Sequence, residues 1–375
     1  MKTLFVKLTP VAVAGMVLLS SCTKKSLDVQ AHYFDVDLFE SKIKAVFDDK
    51  AIGHGYGIYK DGNFAKGDGK GNARQSQDNP EIKFNGDTRM DIASSTKNIT
   101  ALAVMKELYA QGKTEEEKIY KYCPSSWNIP EVNKQISFKQ VLGHLSGLTK
   151  FGGELDDLKQ TMETPTTGTG TFFYNNANYA LCRVLLSYLH AGTASMESGF
   201  NLPYLVSSVF EEYVRAEIFK PAGLVYWDKV GFDPWNETND RSKYTLYYNF
   251  AVPGDNGSSG DNHFYDAGAG GLYISAKELA QVMAGAENGK SIPKNVFNVM
   301  KTLLLSFDGS QSVTGGTCYF KGGDFTSDDA KDQGAHSRII YFPNNVQVAW
   351  LTNSNNNSHA GSINSIINAY QASWK

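Results

Sequence analysis

The stretch Met90-Asp91-Ile92-Ala93-Ser94-Ser95-Thr96-Lys97-Asn98-Ile99-Thr100 decides how this chain is read. It sets Ser94 and Lys97 three residues apart at the start of an apolar run. On a helix such positions share a face, so the lysine nitrogen can reach the serine hydroxyl. A serine with an amine beside it is a candidate nucleophile carrying its own base. The spacing recurs at Ser21/Lys24, Ser41/Lys44 and Ser291/Lys294, so it selects nothing by itself. Context does the selecting. Ile99, Leu102, Val104, Met105 and Leu108 make the following run apolar on every face, the mark of a buried helix. Ser94 then stands at the N-terminus of a central helix, where free N–H groups and the dipole favour negative charge. None of the other three matches opens such a run.

Outward toward the N-terminus, Lys2 and Lys7 precede a short apolar core at 11–19, too short to span a bilayer comfortably. It ends in Leu19-Ser20-Ser21-Cys22, which resembles a bacterial lipobox. That resemblance implies a lipoprotein signal peptide over 1–21 and lipidation of Cys22. Residues 22–33 would be a tether. The body would then sit in the bacterial cell envelope, lipid-anchored at a periplasmic face or the cell surface, since two or more acyl chains hold stably. An ordinary secretory signal is the alternative, and it too places the body outside the cytoplasm.

The chain has 375 residues and a net charge of −3, with no long basic run. It is long enough for one large domain or two interleaved lobes. Nucleic acid is not an expected partner. Cys123, Cys182 and Cys318 are an odd set, which does not read as a disulfide framework. One bridge or buried free thiols remain open. No His-x-x-x-His or carboxylate cluster suggests a metal, and no cofactor is implied.

Helical spacing of Phe39, Ile43, Val46 and Phe47 predicts a helix, and Asp61-Gly62 predicts a hairpin. Residues 66–88 read as a polar, Gly-rich surface excursion. A short helix is expected over 137–148, closed by Gly147. Others should follow Tyr174, span Phe210 to Phe219, start at Ser275, cover about 293–305 and close the chain from Ser362. Strands are expected around Tyr319, Ile340 and Val348. Strands thus lie at both ends and helices fill the middle. The expected class is α/β (α+β): a mostly antiparallel sheet built from both termini and flanked by helices, with an inserted mainly helical lobe. The catalytic body would span 34–375, its α/β part about 34–92 and 266–375, its helical lobe about 93–265.

Two further motifs follow in order: Tyr174-Asn175-Asn176 and Lys321-Gly322-Gly323. With Ser94-Ser95-Thr96-Lys97 they resemble the serine β-lactamase and penicillin-binding-protein-like family of class C type, which includes D-alanyl-D-alanine carboxypeptidases and esterases. His144-Leu145-Ser146-Gly147-Leu148, Ile218-Phe219-Lys220-Pro221-Ala222-Gly223-Leu224 and Gly268-Ala269-Gly270-Gly271-Leu272-Tyr273 agree with that family's habits. The resemblance runs from about residue 50 to the C-terminus and implies a β-lactamase/transpeptidase-like fold.

Ser94 would attack a carbonyl. Lys97 must be neutral to take its proton, which means lowering a pKa of ~10.4 by burial and cationic neighbours. Tyr174 is the other candidate base and the expected proton donor to the leaving group. Asn176 would hold Lys97 and the substrate carbonyl, and Lys321 would keep positive charge at the site. By resemblance the oxyanion hole is the N–H of Ser94 and of Asp324. Gly322 and Gly323 would let substrate approach, His336 could reach the cleft, and His144 reads as structural.

The chain departs from the family where Gly322 replaces a hydroxyl residue that helps bind a substrate carboxylate. Asp324 and the acidic run to Gln333 follow, where a tight turn is usual. Anionic β-lactams should therefore be disfavoured against neutral or cationic esters, amides or peptides. The expected function is an extracytoplasmic serine hydrolase that cleaves an amide or ester through an acyl-enzyme. Its substrate would be a small molecule or peptide, peptidoglycan-derived ones included, and its state monomeric. The alternative is a catalytically silent cell-surface binding protein of the same fold.

Overall fold

Asp61-Gly62 and Asn344-Asn345 make the two turns that set the sheet. All four residues have positive φ, the hairpin geometry whose twist matches that of the flanking strands. In chain order the ladder strands are β1 (Gly53–Lys60), β2 (Asn63–Arg74), β3 (Gly309–Val313), β4 (Gly316–Thr326), β5 (Gly334–Phe342) and β6 (Val346–Thr352). In space they run β3-β4-β5-β6-β1-β2, every neighbour antiparallel. The two chain ends therefore meet at the β6–β1 seam, as the sequence leads one to expect. A short strand, Leu246–Asn249, also touches β5, pairing Tyr248 with Gly334.

This computed structural model describes residues 32–150, 152–326, 332–356 and 362–375. The expected signal peptide, Cys22 and nearly all of the tether lie outside the described residues, as do 327–331 of the acidic run. Phe34–Lys375 forms a compact unit. Among the described residues no helix is long and apolar enough to cross a membrane.

The helices that frame the sheet and site are α1 (Val36–Phe47), α2 (Thr96–Ala110), α3 (Asn176–Ala191), α4 (Ala276–Glu287) and α5 (Ser362–Gln371). Strand alternation assigns each sheet face its cover. Tyr56, Ile58, Ile340, Val348 and Trp350 pack against Phe39, Ile43 and Phe47 of α1 and Ile366, Ile367 and Tyr370 of α5. The intervening residues Ile339, Tyr341, Ala349 and Leu351 join the larger core with α2, α3 and α4. Burying one such large side chain contributes about 1.5–3 kcal/mol, so both faces are firmly committed. Helix α2 is buried almost throughout, as its uninterrupted apolar run requires.

Two expectations are corrected. The 66–88 stretch is not all surface excursion, because β2 continues to Arg74. Its glycines hide the strand alternation, and they are required by close packing. A Cβ on Gly69 would sit 2.5 Å from the His54 carbonyl oxygen and 2.6 Å from Asn85 Cα. The 137–148 helix is only Phe138–Leu142, opened by a Ser137/Gln140 capping box. It ends at Gly143, and His144 then turns the chain at φ 56° before Gly147 bends it again at φ 75°. Cys123, Cys182 and Cys318 are buried free thiols, which settles the open alternative.

Candidate active site

Asp91 shapes the turn before α2. Its Oδ1 accepts from the N–H of Ala93 at 2.7 Å and of Gly271 at 3.2 Å. Ala93 is held at φ 47°, a conformation that costs a non-glycine residue about 1–3 kcal/mol and persists only under such support. The turn presents Ser94 at the lip of the cleft and points Lys97 inward. The Gly268–Leu272 loop clasps the helix start. Thr100 donates to the Gly268 carbonyl and Lys97 to the Ala269 carbonyl, and Thr96 accepts from the Leu272 N–H.

Two motif side chains converge on the Ser94 oxygen. Lys97 Nζ lies 2.9 Å from Ser94 Oγ, and the Tyr174 hydroxyl donates to the same Oγ at 2.8 Å. Lys97 and Lys321 Nζ stand 5.1 and 5.3 Å from the Tyr174 ring centre. Lys97 is fully buried. Burial, then the Lys321 charge, pulls its pKa well below the lysine range. Burial pushes Tyr174 up to about 12, against the Ser94 hydrogen bond that works the other way. Both shifts favour neutral forms. A neutral Lys97 can accept the Ser94 proton while Tyr174 keeps its own, and this polarity suits attack by Ser94 on a carbonyl.

Tyr174 is positioned by the residues around it. Asn175 caps α3 and donates to the Leu148 and Lys150 carbonyls. The His144 ring lies 4.4 Å from the Tyr174 ring and accepts from the Asn175 N–H at 3.3 Å. Burial lowers the His144 pKa to about 3, with help from Lys97 and Lys321. His144 is thus a neutral support for the Tyr174 turn.

Strand β4 forms the opposite wall. Lys321 donates to Asp308 Oδ1 at 2.6 Å, and the Gly322 N–H donates to Asp308 Oδ2 at 2.7 Å. That N–H points away from β5. By the two-residue period of a strand, the Asp324 N–H projects from the same edge. The Ser337 hydroxyl of β5 donates to the Ile92 carbonyl at 2.6 Å and lies within hydrogen-bond distance of the Ser95 hydroxyl, Oγ to Oγ 2.7 Å, fastening the sheet to the Ser94 turn. Gly323 lies between them. A Cβ there would fall 2.4 Å from the Ile92 oxygen and 2.7 Å from the Ser95 nitrogen.

Two clefts share Ser94, Asn176 and Asp324. The one holding Tyr174, Lys321, Gly322 and Arg338 has a volume of about 400 Å³. The other, about 640 Å³, is bounded by the Gly270-Gly271 loop, Tyr247, Phe325 and the carboxylates Asp91, Asp261 and Asp266.

Some sequence assignments shift. Asn176 lines both clefts, but among the described residues its amide has no hydrogen bond to Lys97; the Ala269 carbonyl holds that amine. His336 is buried behind Asp324, where Nδ1 pairs with the Asp324 carboxylate and Nε2 accepts from the Asn356 N–H. It is not among the lining residues of either cleft. Gly323 serves the approach of strand to turn, whereas a Cβ on Gly322 would meet its nearest neighbour at 3.4 Å. Asp308 was missed, since it reaches Lys321 only through the β3–β4 pairing. Among the described residues no group of side chains could hold a metal ion.

A model of the family described as Beta-lactamase matches residues 40–371. The chain belongs to that family. No curated protein matches it. Among solved structures it resembles FmtA from Staphylococcus aureus (16% identity, TM-score 0.66, covering 91% of this chain and 89% of that one). It also resembles the octameric penicillin-binding protein homologue from Pyrococcus abyssi (19%, 0.63, 88% and 76%). A third likeness is to the D-amino acid amidase from Ochrobactrum anthropi SV3 (15%, 0.62, 89% and 99%). At these identities the likeness is one of fold, and it agrees with the α/β architecture expected from the sequence.

Proposed function

We propose that this member of the β-lactamase family is a serine hydrolase that cleaves an amide or ester through an acyl-enzyme. The observation that carries this is the position of Ser94 Oγ, 2.9 Å from a buried lysine amine and 2.8 Å from a protonated tyrosine. Ser94 attacks the carbonyl carbon while Lys97 takes its proton. The oxyanion forms against the N–H groups of Ser94 and Asp324. Collapse breaks the bond to the leaving group, which takes the Tyr174 proton while Lys97 passes its own to Tyr174 and is neutral again. Water then attacks the acyl-enzyme, Lys97 accepts its proton and returns it to Ser94 Oγ as the acyl bond breaks. The envelope location read from the first residues, with a lipid anchor on Cys22, would place this chemistry beside peptidoglycan-derived or diffusing small substrates.

A fluorophosphonate probe tests the reading. Labelling of the wild type and its loss in Ser94→Ala are expected, together with turnover of a p-nitrophenyl ester or a D-amino acid amide. Absence of labelling and of turnover would instead indicate a binding protein.

The Lys97 assignment also predicts a pH effect. Lys321 disfavours the protonated form of Lys97, so Lys321→Ala lets Lys97 keep its proton to higher pH. The acidic limb of kcat/KM, which reports the free enzyme's base, should move upward in that variant. A limb that stays in place would assign the base elsewhere.

A further inference from the structure

We infer that Asp308 and Asp324 occupy, from within the chain, the places at which a substrate carboxylate would otherwise be held. The enzyme therefore selects substrates whose leaving group carries no carboxylate. This rests on the acyl-transfer reading above and specifies the substrate class of the same site.

Tyr174, the proton donor to the leaving group, lines the smaller cleft, so the leaving group departs there. The cations of that cleft are Lys321 and Arg338. Each already faces a carboxylate. Asp308 takes Lys321 Nζ at 2.6 Å with one oxygen and the Gly322 N–H at 2.7 Å with the other. One cation and one edge-strand N–H are what a bound carboxylate would use. Arg338 Nη1 donates to Asp324 Oδ1 at 2.7 Å, and His336 contacts the same carboxylate. Burial alone would raise Asp324, yet the His336 and Arg338 contacts hold its pKa below the carboxylate range. It is therefore ionised at neutral pH.

The larger cleft offers no alternative seat. Its lining contains no lysine or arginine, its His263 already faces Asp91 at 3.7 Å and Asp266 at 3.3 Å, and it carries Asp261 as well. A carboxylate brought to either side of Ser94 must displace an internal one or meet like charge. Gly322, which also lines the smaller cleft, offers no side-chain donor there.

The test compares two acetate esters on the full chain, one with phenol and one with 3-carboxyphenol as leaving group. The wild type should favour the phenyl ester. Asp308→Asn keeps an acceptor for the Gly322 N–H and releases the Lys321 charge, so the ratio of the two kcat/KM values should move toward the carboxylate ester by about tenfold. A merely structural role would lower both rates and leave the ratio alone, which would overturn the inference. Asp324→Asn should move the ratio in the same direction.

A readout without turnover separates the two proposals. Benzoate titrated by NMR should bind Asp308→Asn at least about tenfold more tightly than the wild type. If neither ester is hydrolysed, the hydrolase reading fails while benzoate still decides this one. Tight benzoate binding by the wild type, displaced by neither variant, would sink it.

Discussion

Lys97→Met should lower kcat/KM by about four orders of magnitude, near the upper range for removal of a general base. Tyr174→Phe should cost less, about a hundredfold. The ranking follows from the two environments. Lys97 is fully enclosed, and burial with the Lys321 charge pulls its pKa down, which favours the neutral amine whose lone pair the reaction needs. Tyr174 is pushed up to about 12 and is essentially all phenol at that pH. A phenolate base would therefore be a rare species. Steady-state kinetics on an activated ester check the order, and a Tyr174→Phe loss exceeding that of Lys97→Met would reverse the assignment.

The same substitution has a stability signature. A lysine whose pKa is lowered on folding binds fewer protons folded than unfolded. Between its folded pKa and the unfolded ~10.4, stability therefore rises with pH. The wild type should gain from this group as pH rises through that window, and Lys97→Met should lack that gain. Denaturation midpoints measured from pH 7 to 10 would show it as a difference in slope. Met nearly matches lysine in length and fills the site, so loss of activity need not mean loss of fold.

What the sequence disclosed, and what it withheld, follows the range of the interactions involved. Ser94 and Lys97 are helical neighbours, so their meeting is local and readable. Tyr174 and Lys321 were placed by motif order, and each motif carries its turn or strand with it. The Ala269 carbonyl that holds Lys97 comes from a loop far along the chain, and carbonyls have no signature in a sequence. Asp308 lies in no motif at all. It matters because β3 and β4 pair and bring it across to Lys321. The strand of β2 was hidden for a different reason. Its glycines answer to the crowding of His54 and Asn85, so the alternation that marks other strands is erased. His336 illustrates the converse: its position beside the Lys-Gly-Gly strand was legible, but strand alternation and the Asp324 carboxylate turn it behind the cleft.

Gly323→Ala should lower kcat/KM by about a hundredfold to a thousandfold and destabilise the fold by about 1–3 kcal/mol, whereas Gly322→Ala should leave kcat/KM within about threefold. The two glycines are adjacent and neither has a positive φ, so backbone freedom does not distinguish them. Space does. At position 323 a methyl group would lie 2.4 Å from the Ile92 oxygen, 2.5 Å from Ser337 Oγ and 2.7 Å from the Ser95 nitrogen. Two of those atoms are backbone of the turn that carries Ser94, and none can yield without moving the turn or the strand. Either movement opens the distance between Ser94 and the Asp324 N–H, the pair that must close on the oxyanion. A displacement near 1 Å at such a site costs about a hundredfold. At position 322 the nearest atoms are the Arg338 guanidinium at 3.4 Å and Asp308 at 3.6 Å, ordinary contacts at the ends of side chains. Alanine there keeps the N–H that Asp308 accepts. Thermal unfolding measured beside ester kinetics separates the two effects. Equal losses at both positions would mean that the glycines serve substrate approach and not the closure of strand onto turn.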